Sequence, residues 1–208
     1  MLLVLPGSRR GEVDRLLPPF SAAVGLLRQD HPDLAVVVAA ADAVAETVRA
    51  RVATWTVPAF VVEGEAARLD AMKAATVALA CSGTVTTELA LCGVPMVVAY
   101  KLGALTHAVA KRLIRTPYIT LFNVAAGDFV APEFVQERCN GPGLARAISR
   151  RLEDHHLRSR QVQGQFAALQ IMRGGIEDPS GAAAEAVMAE IATRELISRG
   201  APGVGSRA

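Results

Sequence analysis

Short apolar runs alternate with amphipathic stretches over residues 1–122, and no other feature of the sequence limits the fold as strongly. Apolar runs of about four to eight residues bounded by turn residues are typical of buried strands, whereas apolar residues three and four positions apart are typical of helices. The sequence predicts strands at 1–5, 34–40, 59–64, 76–81, 95–100 and 118–121. Strands that alternate with helices form βαβ units, so we predict an α/β fold with a doubly wound, Rossmann-like parallel sheet.

Helical periodicity accounts for most of the remaining chain. Helices are predicted at 9–29, 43–53, 65–75, 84–91, 104–115, 142–153, 155–172 and 180–199. Pro18 and Pro19 interrupt the first of them, so we expect a kink or two shorter helices there. We predict one domain over 1–173, a C-terminal helix over 174–199 that packs on this domain or crosses between domains, and a disordered tail over 200–208.

The composition agrees with such a fold and argues against some functions. Hydrophobic residues make up 51% of the chain and aromatic residues only 4%, which suits a parallel sheet with both faces covered by helices. A formal net charge of +2 provides no broad positive field to attract nucleic acid. The three cysteines have no CxxC spacing and are predicted to be reduced packing thiols of a cytosolic protein. No apolar run approaches the ~20 residues that span a bilayer.

The turn after the first strand, Gly7-Ser8-Arg9, is one candidate ligand site, because ligands of such sheets bind beyond the carboxyl ends of the strands. Gly7 allows a close approach of the backbone, Ser8 stands where a helix cap would, and Arg9 offers a planar fork for a phosphate. A capped helix followed by two solvated arginines explains this turn equally well. Glu12 is not three positions after Ser8, so a strict capping box is not predicted.

The turn after the fourth strand carries the stronger signal. Ser82, Gly83 and Thr84 place hydroxyl groups and unpaired amides at a helix N-terminus, where a pyrophosphate is favoured. Glu88 lies four residues after Thr84, about 6 Å further along the axis, where its carboxylate could accept from a ribose. An N-cap followed by a solvated Glu is the alternative for this turn alone, but two such turns in one sheet favour an anionic ligand. Neither GxGxxG nor GxxxxGK[ST] is present.

Three weaker candidates remain open. Asn123 follows the predicted sixth strand and could bind a ligand from a loop, although a turn-forming Asn is an equally good explanation. His155 and His156 are adjacent and therefore cannot form the usual i, i+4 metal pair, so we predict no metal site. The cationic helix 104–115 is typical of a solvated face, and a membrane-surface role is its alternative.

Three segments occur in a fixed order ahead of Ala-rich C-terminal helices: "LPGSRRGEV", "EGEAARLDAMKAATVALACSGTVTTELALCGVPMVVAYKL" and "YITLFNVAAGDFVAPEFVQERC". Together they resemble the C-terminal half of the lipid-A-disaccharide synthase family. The resemblance extends from Leu3 to about Thr193 and depends on the ordered set of segments. It implies an inverting, metal-independent GT-B glycosyltransferase of family 19. Such enzymes transfer 2,3-diacylglucosamine from UDP to 2,3-diacylglucosamine 1-phosphate during lipid A biosynthesis.

The resemblance also implies roles for individual residues. UDP-binding roles fall on Gly7, Ser8, Arg9, Ser82, Gly83, Thr84 and Glu88, with catalytic roles for Arg9 and Asn123. No metal and no cofactor is implied. Relatives often have Pro before the Asn, whereas this sequence has Phe122, so the shape of that loop is expected to differ.

Further expectations concern the whole enzyme. The resemblance implies a UDP-diacylglucosamine donor, a lipid acceptor held by an N-terminal domain that also carries the general base, and a peripheral location at the inner face of the inner membrane. That domain is expected to be missing from this chain, whose first strand begins at residue 1, and the chain alone is expected to be inactive. The alternatives are a non-catalytic nucleotide-binding module and a UDP-sugar epimerase of similar fold. An epimerase would need an acid and a base at the sugar C2 carbon, and the sequence offers no convincing pair.

Overall fold

A parallel sheet forms the centre of the compact unit Met1–Met172. The computed structural model describes residues 1–103, 116–175 and 178–200. Its strands are β1 (Leu2–Leu5), β2 (Val36–Ala40), β3 (Phe60–Glu63), β4 (Val77–Cys81), β5 (Met96–Tyr100) and β6 (Glu133–Val135). They pair in the order β3-β2-β1-β4-β5-β6, and every pair is parallel. The strand order reverses between β1 and β4, which is the switch point of a doubly wound fold.

Helices cover both faces of the sheet. The α-helices of the described residues are α1 (Arg10–Asp30), α2 (Ala45–Val52), α3 (Glu65–Ala74), α4 (Thr84–Leu91), α5 (Leu121–Ala126), α6 (Gly141–Glu153), α7 (His155–Arg173) and, in the second compact unit described below, α8 (Pro179–Gly200). The core on one face includes residues of α1, α2 and α6, and the core on the other includes residues of α3, α4, α5 and α7. All five residues of β4 are buried, because a strand with helices on both sides has no solvent face. The predicted fold class is confirmed.

The first helix is continuous, although it contains two prolines. Helix α1 runs through Pro18 and Pro19 without a break, so the prediction of two shorter helices is wrong. Each proline removes one backbone hydrogen bond. Buried side chains lie on both sides of the pair, including Val13, Leu17 and Phe20. Packing of this apolar stripe on the sheet holds the helix together where local propensity would end it.

The sixth strand lies at a different place from the one predicted. Residues 118–121 form no strand, and β6 pairs with β5 instead, with Glu133 opposite Val98. The backbone N–H groups of Ile119 and Thr120 donate to the buried carboxylate of Glu133 at 2.9 and 2.8 Å, and the Thr120 hydroxyl donates to it at 2.6 Å. A side-chain acceptor therefore takes the donors that a neighbouring strand would have used.

The C-terminal part of the chain forms a second compact unit. The first unit comprises Met1–Met172 and the second begins at Arg173 and includes α8. The predicted helix 104–115 and residues 201–208 of the predicted tail lie outside the described residues. Among the helices that the structure describes, none combines the length and apolar character needed to cross a membrane.

Candidate functional site

A cavity of about 580 Å³ opens where the turns after β1, β2, β3 and β4 meet. Its volume is within the range of small-molecule sites, roughly 300–1,000 Å³. The seven residues expected to bind UDP all line it, namely Gly7, Ser8, Arg9, Ser82, Gly83, Thr84 and Glu88. Strands β1 and β4 are direct neighbours, with Leu5 opposite Ala80, so the two turns predicted to bind an anion lie side by side.

The turn after β1 already holds an anionic group of the protein itself. The Glu12 carboxylate accepts from the backbone N–H groups of Ser8 and Arg9 at 3.2 and 3.3 Å, and from the Arg9 guanidinium at 3.0 Å. Gly7 has φ +106°, and a Cβ there would lie 2.6 Å from the carboxylate, so this arrangement requires glycine. The helix cap is Arg9 with Glu12 three positions later, which corrects the expected cap at Ser8.

The turn after β4 has free backbone donors. Gly83 precedes the first residue of α4, and no protein acceptor for the N–H groups of Gly83, Thr84 and Val85 exists in the described part of the chain. Gly83 has an extended backbone that any residue can adopt, and a Cβ there would meet nothing within 4 Å. Neither backbone strain nor steric crowding requires glycine at 83; glycine is a favourable N-cap residue, and it also permits the close approach of a ligand. The Ser82 hydroxyl donates to the carbonyl of Ile119 at 3.2 Å.

Glu88 is held by a partner that sequence reasoning missed. The Arg68 guanidinium, in the first turn of α3, donates to Glu88 Oε2 at 2.5 Å, and both residues line the cavity. Asp42 and Glu65 also line it, after β2 and β3. The spacing of Arg68 and Glu88 in the sequence does not predict their contact, because α3 and α4 follow β3 and β4, and these strands are separated in the sheet by β2 and β1.

The remaining chemistry of the cavity is modest. Burial, together with the nearby Glu12 carboxylate, raises the pKa of Cys81 to about 12, so this cavity-lining thiol is protonated at neutral pH and is a poor nucleophile. In the part of the chain that the structure describes, no three His, Cys, Asp or Glu side chains cluster in a way that could hold a metal ion. The groups that the site offers to a ligand are therefore hydrogen-bond donors and charged side chains.

A sequence model of the lipid-A-disaccharide synthetase family matches residues 1–187. The chain belongs to this family. Over 199 residues it is 43% identical to the lipid-A-disaccharide synthase of Rhodospirillum centenum, a match that covers 96% of this chain and 50% of that relative. This member of the lipid-A-disaccharide synthetase family therefore spans about half the length of the curated relatives it matches.

Solved structures share the fold of this synthetase family member at low identity. A putative UDP-N-acetylglucosamine 2-epimerase from Listeria monocytogenes matches with a TM-score of 0.53 and 15% identity, over 82% of this chain and 43% of the other. The catalytic domain of the cholesterol-α-glucosyltransferase from Helicobacter pylori matches with a TM-score of 0.52 and 16% identity, over 82% of this chain and 99% of the other. These likenesses show a Rossmann-like fold that glycosyltransferases share with an epimerase.

Asn123 of this family member lies outside the cavity lining. It is on α5 and fully buried, so the expectation that it follows a strand in a loop is wrong. Its side-chain amide donates to the Ala131 carbonyl and to the Glu133 carboxylate, both at 2.8 Å, and its oxygen accepts from the Ala131 N–H at 3.0 Å. These bonds join α5 to the segment that leads into β6. The predicted catalytic role of Asn123 stays a prediction.

Cysteine placement also differs from the sequence expectation in one case. Cys81 and Cys139 are buried, as expected of packing thiols, but Cys92 is exposed at the end of α4. All three are free. The apolar neighbours of Cys92 in sequence indicated burial, but this position follows the last helical turn and faces solvent.

Proposed function

We propose that this chain is the donor half of a lipid-A-disaccharide synthase, which binds UDP-2,3-diacylglucosamine and transfers the diacylated sugar, with inversion, to 2,3-diacylglucosamine 1-phosphate. One observation carries the proposal: the residues that family resemblance marks for UDP, which come from two turns 75 positions apart, line a single cavity at the switch point of the sheet. Membership of the lipid-A-disaccharide synthetase family supports the choice of substrates.

The pyrophosphate is proposed to bind at the N-terminus of α4. The free N–H groups there point toward a ligand site by their position in the first helical turn, and the helix dipole adds partial positive charge. Arg9, on the neighbouring turn, has an exposed side chain that can add a bidentate contact. Glu88, one turn further along α4, would then accept from a ribose hydroxyl. The amides of Ser8 and Arg9 are already used by Glu12, so this turn contributes mainly through the Arg9 side chain.

Catalysis in this proposal consists of stabilising the leaving group. As the acceptor hydroxyl attacks C1 of the sugar, the bond from C1 to the β-phosphate oxygen breaks and its electron pair stays on that oxygen. The α4 amides and the Arg9 guanidinium would stabilise the additional negative charge. The acceptor proton needs a base within hydrogen-bond reach, which we assign to an acceptor domain like the one expected in full-length relatives. We therefore propose that the chain on its own forms no disaccharide.

The lipid substrates lead us to propose that the complete enzyme works at the inner face of the inner membrane, as a peripheral protein. The lipid acceptor would be bound by the acceptor domain, and no metal or cofactor takes part. A nucleotide-binding module without activity is the alternative, and it would share the UDP site. An epimerase shares only the fold, since the likeness to the Listeria protein is at 15% identity.

The test is UDP binding by the 208-residue chain, measured by isothermal titration calorimetry in the presence of EDTA. Gly83→Ala should weaken UDP affinity by about tenfold, because the added methyl group occupies the space next to the free amides; a Cβ there meets no protein atom within 4 Å, so the cost to the folded state should be limited to about 1 kcal/mol for the poorer N-cap. Gly25→Ala is the matched control, because a Cβ there meets only Thr56 Oγ1 at 3.9 Å and the residue does not line the cavity.

Two outcomes would contradict the proposal. A well-folded wild-type chain that binds no UDP at millimolar concentration would overturn the donor-site assignment. An unchanged UDP affinity of Gly83→Ala would show that the phosphates do not bind at the N-terminus of α4. Thermal unfolding of each variant, followed by circular dichroism, provides the check that the folded state is intact.

A further inference from the structure

Arg68, to which the family resemblance assigns no role, forms an ion pair with Glu88, whose carboxylate is proposed to bind the ribose. Arg68 Nη1 and Glu88 Oε2 are 2.5 Å apart, and their side chains are 28% and 36% exposed. Arg68 is in the first turn of α3, where its backbone N–H donates to the carbonyl of Gly64 at 3.1 Å. The ion pair thus connects the turn after β3 with the helix after β4 at the wall of the cavity.

The pair leaves half of the Glu88 carboxylate available. Oε2 accepts from Arg68, and Oε1 has no partner within residues 1–103, 116–175 and 178–200. A carboxylate has about four lone-pair positions, so one charge-assisted bond does not saturate it. Such a bond does restrict the side-chain torsions of Glu88, which an unpaired glutamate on a helix surface would sample freely.

Arg68 also compensates charge in a cavity that is rich in acids. Glu12, Asp42, Glu65 and Glu88 line it, against Arg9 and Arg68. Without Arg68, Glu88 would be an unpaired negative charge on the same helix whose N-terminus is proposed to receive a pyrophosphate. The pair therefore does two things: it orients the carboxylate and it limits repulsion of an anionic ligand.

We propose that Arg68 is a positioning residue that makes the site selective for ribonucleoside diphosphates over their 2′-deoxy counterparts. This inference rests on the proposed function. With Oε2 fixed by Arg68, Oε1 is set to accept from the vicinal hydroxyl groups of a ribose, and a 2′-deoxyribose offers one donor fewer. A mobile Glu88 would lose torsional freedom in order to form the bond to the 2′-hydroxyl, whereas a 2′-deoxyribose does not require this ordering, so the net preference for the ribose would be smaller.

The experiment compares UDP with 2′-deoxy-UDP on the 208-residue chain by calorimetry. The wild-type chain should bind UDP about tenfold more tightly, as expected for a hydrogen bond to a charged group. Arg68→Ala should reduce this ratio to about twofold, and Arg68→Lys should restore part of it, because lysine keeps the charge without the planar fork. UDP and 2′-deoxy-UDP are titrated into separate portions of the same protein preparation, so any loss of folded protein cancels in the ratio of the two affinities.

Arg51→Ala is the matched control. Arg51 forms an ion pair with Asp14 at the same distance of 2.5 Å, and neither residue lines the cavity, so the ratio should stay at its wild-type value. Glu88→Gln should also reduce the ratio, and adding Arg68→Ala to it should reduce the ratio no further, since the arginine acts through the glutamate.

The outcomes separate the inference from the function on which it rests. If the folded wild-type chain binds no UDP, the proposed function and this inference both fail. If it binds UDP and 2′-deoxy-UDP equally, or if Arg68→Ala retains the wild-type ratio, the inference is overturned while UDP binding stands. A reduced ratio in Arg68→Ala with an unchanged ratio in Arg51→Ala supports it.

Discussion

Replacing Asn123 by alanine should destabilise the folded chain by about 3 kcal/mol. The change removes three buried hydrogen bonds, two to Ala131 and one to Glu133. Each is worth about 1 kcal/mol net, so the loss of all three should cost about 3 kcal/mol. For a chain of this size, that corresponds to a decrease in melting temperature of roughly 6–12 °C.

The assay is urea unfolding followed by circular dichroism, with Asn140→Ala as the matched control. The Asn140 side chain caps α6 by accepting from the Gly143 N–H at 2.9 Å, and it donates to the Glu137 carbonyl at 3.0 Å near the protein surface. Loss of an exposed cap should cost only about 1 kcal/mol. The UDP affinity of the folded Asn123→Ala protein should stay within about twofold of wild type, because Asn123 does not line the cavity.

If the free energy of unfolding of Asn123→Ala lies within about 0.5 kcal/mol of the wild-type value, this reasoning is refuted, because the buried amide then contributes nothing to stability. If that unchanged stability were accompanied by a large loss of UDP affinity, the role predicted from sequence, direct contact with the substrate, would be favoured. The two readings therefore give opposite combinations of stability and binding.

Two further predictions concern the cavity and the two buried thiols. Glu12→Gln should tighten the binding of inorganic pyrophosphate by about fivefold, measured by calorimetry. The change removes a negative charge that the anion must otherwise displace from Arg9. Weaker binding would mean that the main role of Glu12 is to hold the shape of the turn. Burial raises the pKa of Cys81 to about 12 and that of Cys139 to about 11, from 9.0. The unfolded chain then loses these protons first, so the free energy of unfolding should fall as the pH rises from 9 to 11. Urea titrations should show a smaller fall in the Cys81→Ala, Cys139→Ala variant, and an equal fall would exclude the thiols as its cause.

The strands β1 to β5 and most helices were predictable from the sequence because their signals are local. A strand buried on both faces is an unbroken apolar run, as in Val77–Cys81, and a helix repeats its apolar residues every three to four positions, as in α1. Two of the turns that line the cavity, those after β1 and β4, were predictable for the same reason, since small residues directly after a buried strand mark its carboxyl end. The two turns together predicted an anionic ligand, and the expectation that this ligand is UDP followed only from family resemblance.

Tertiary structure decided every feature that depends on residues distant in sequence. Residues 118–121 have the apolar pattern of a strand, but the buried carboxylate of Glu133 takes the N–H groups of Ile119 and Thr120, and β6 forms elsewhere. Arg68 reaches Glu88 only because α3 and α4 pack on the same face of the sheet, although β3 and β4 are not neighbours. Strand order and the choice of partner for each buried polar group are set by global packing and by the need to satisfy every buried donor, and neither leaves a periodic trace in the sequence.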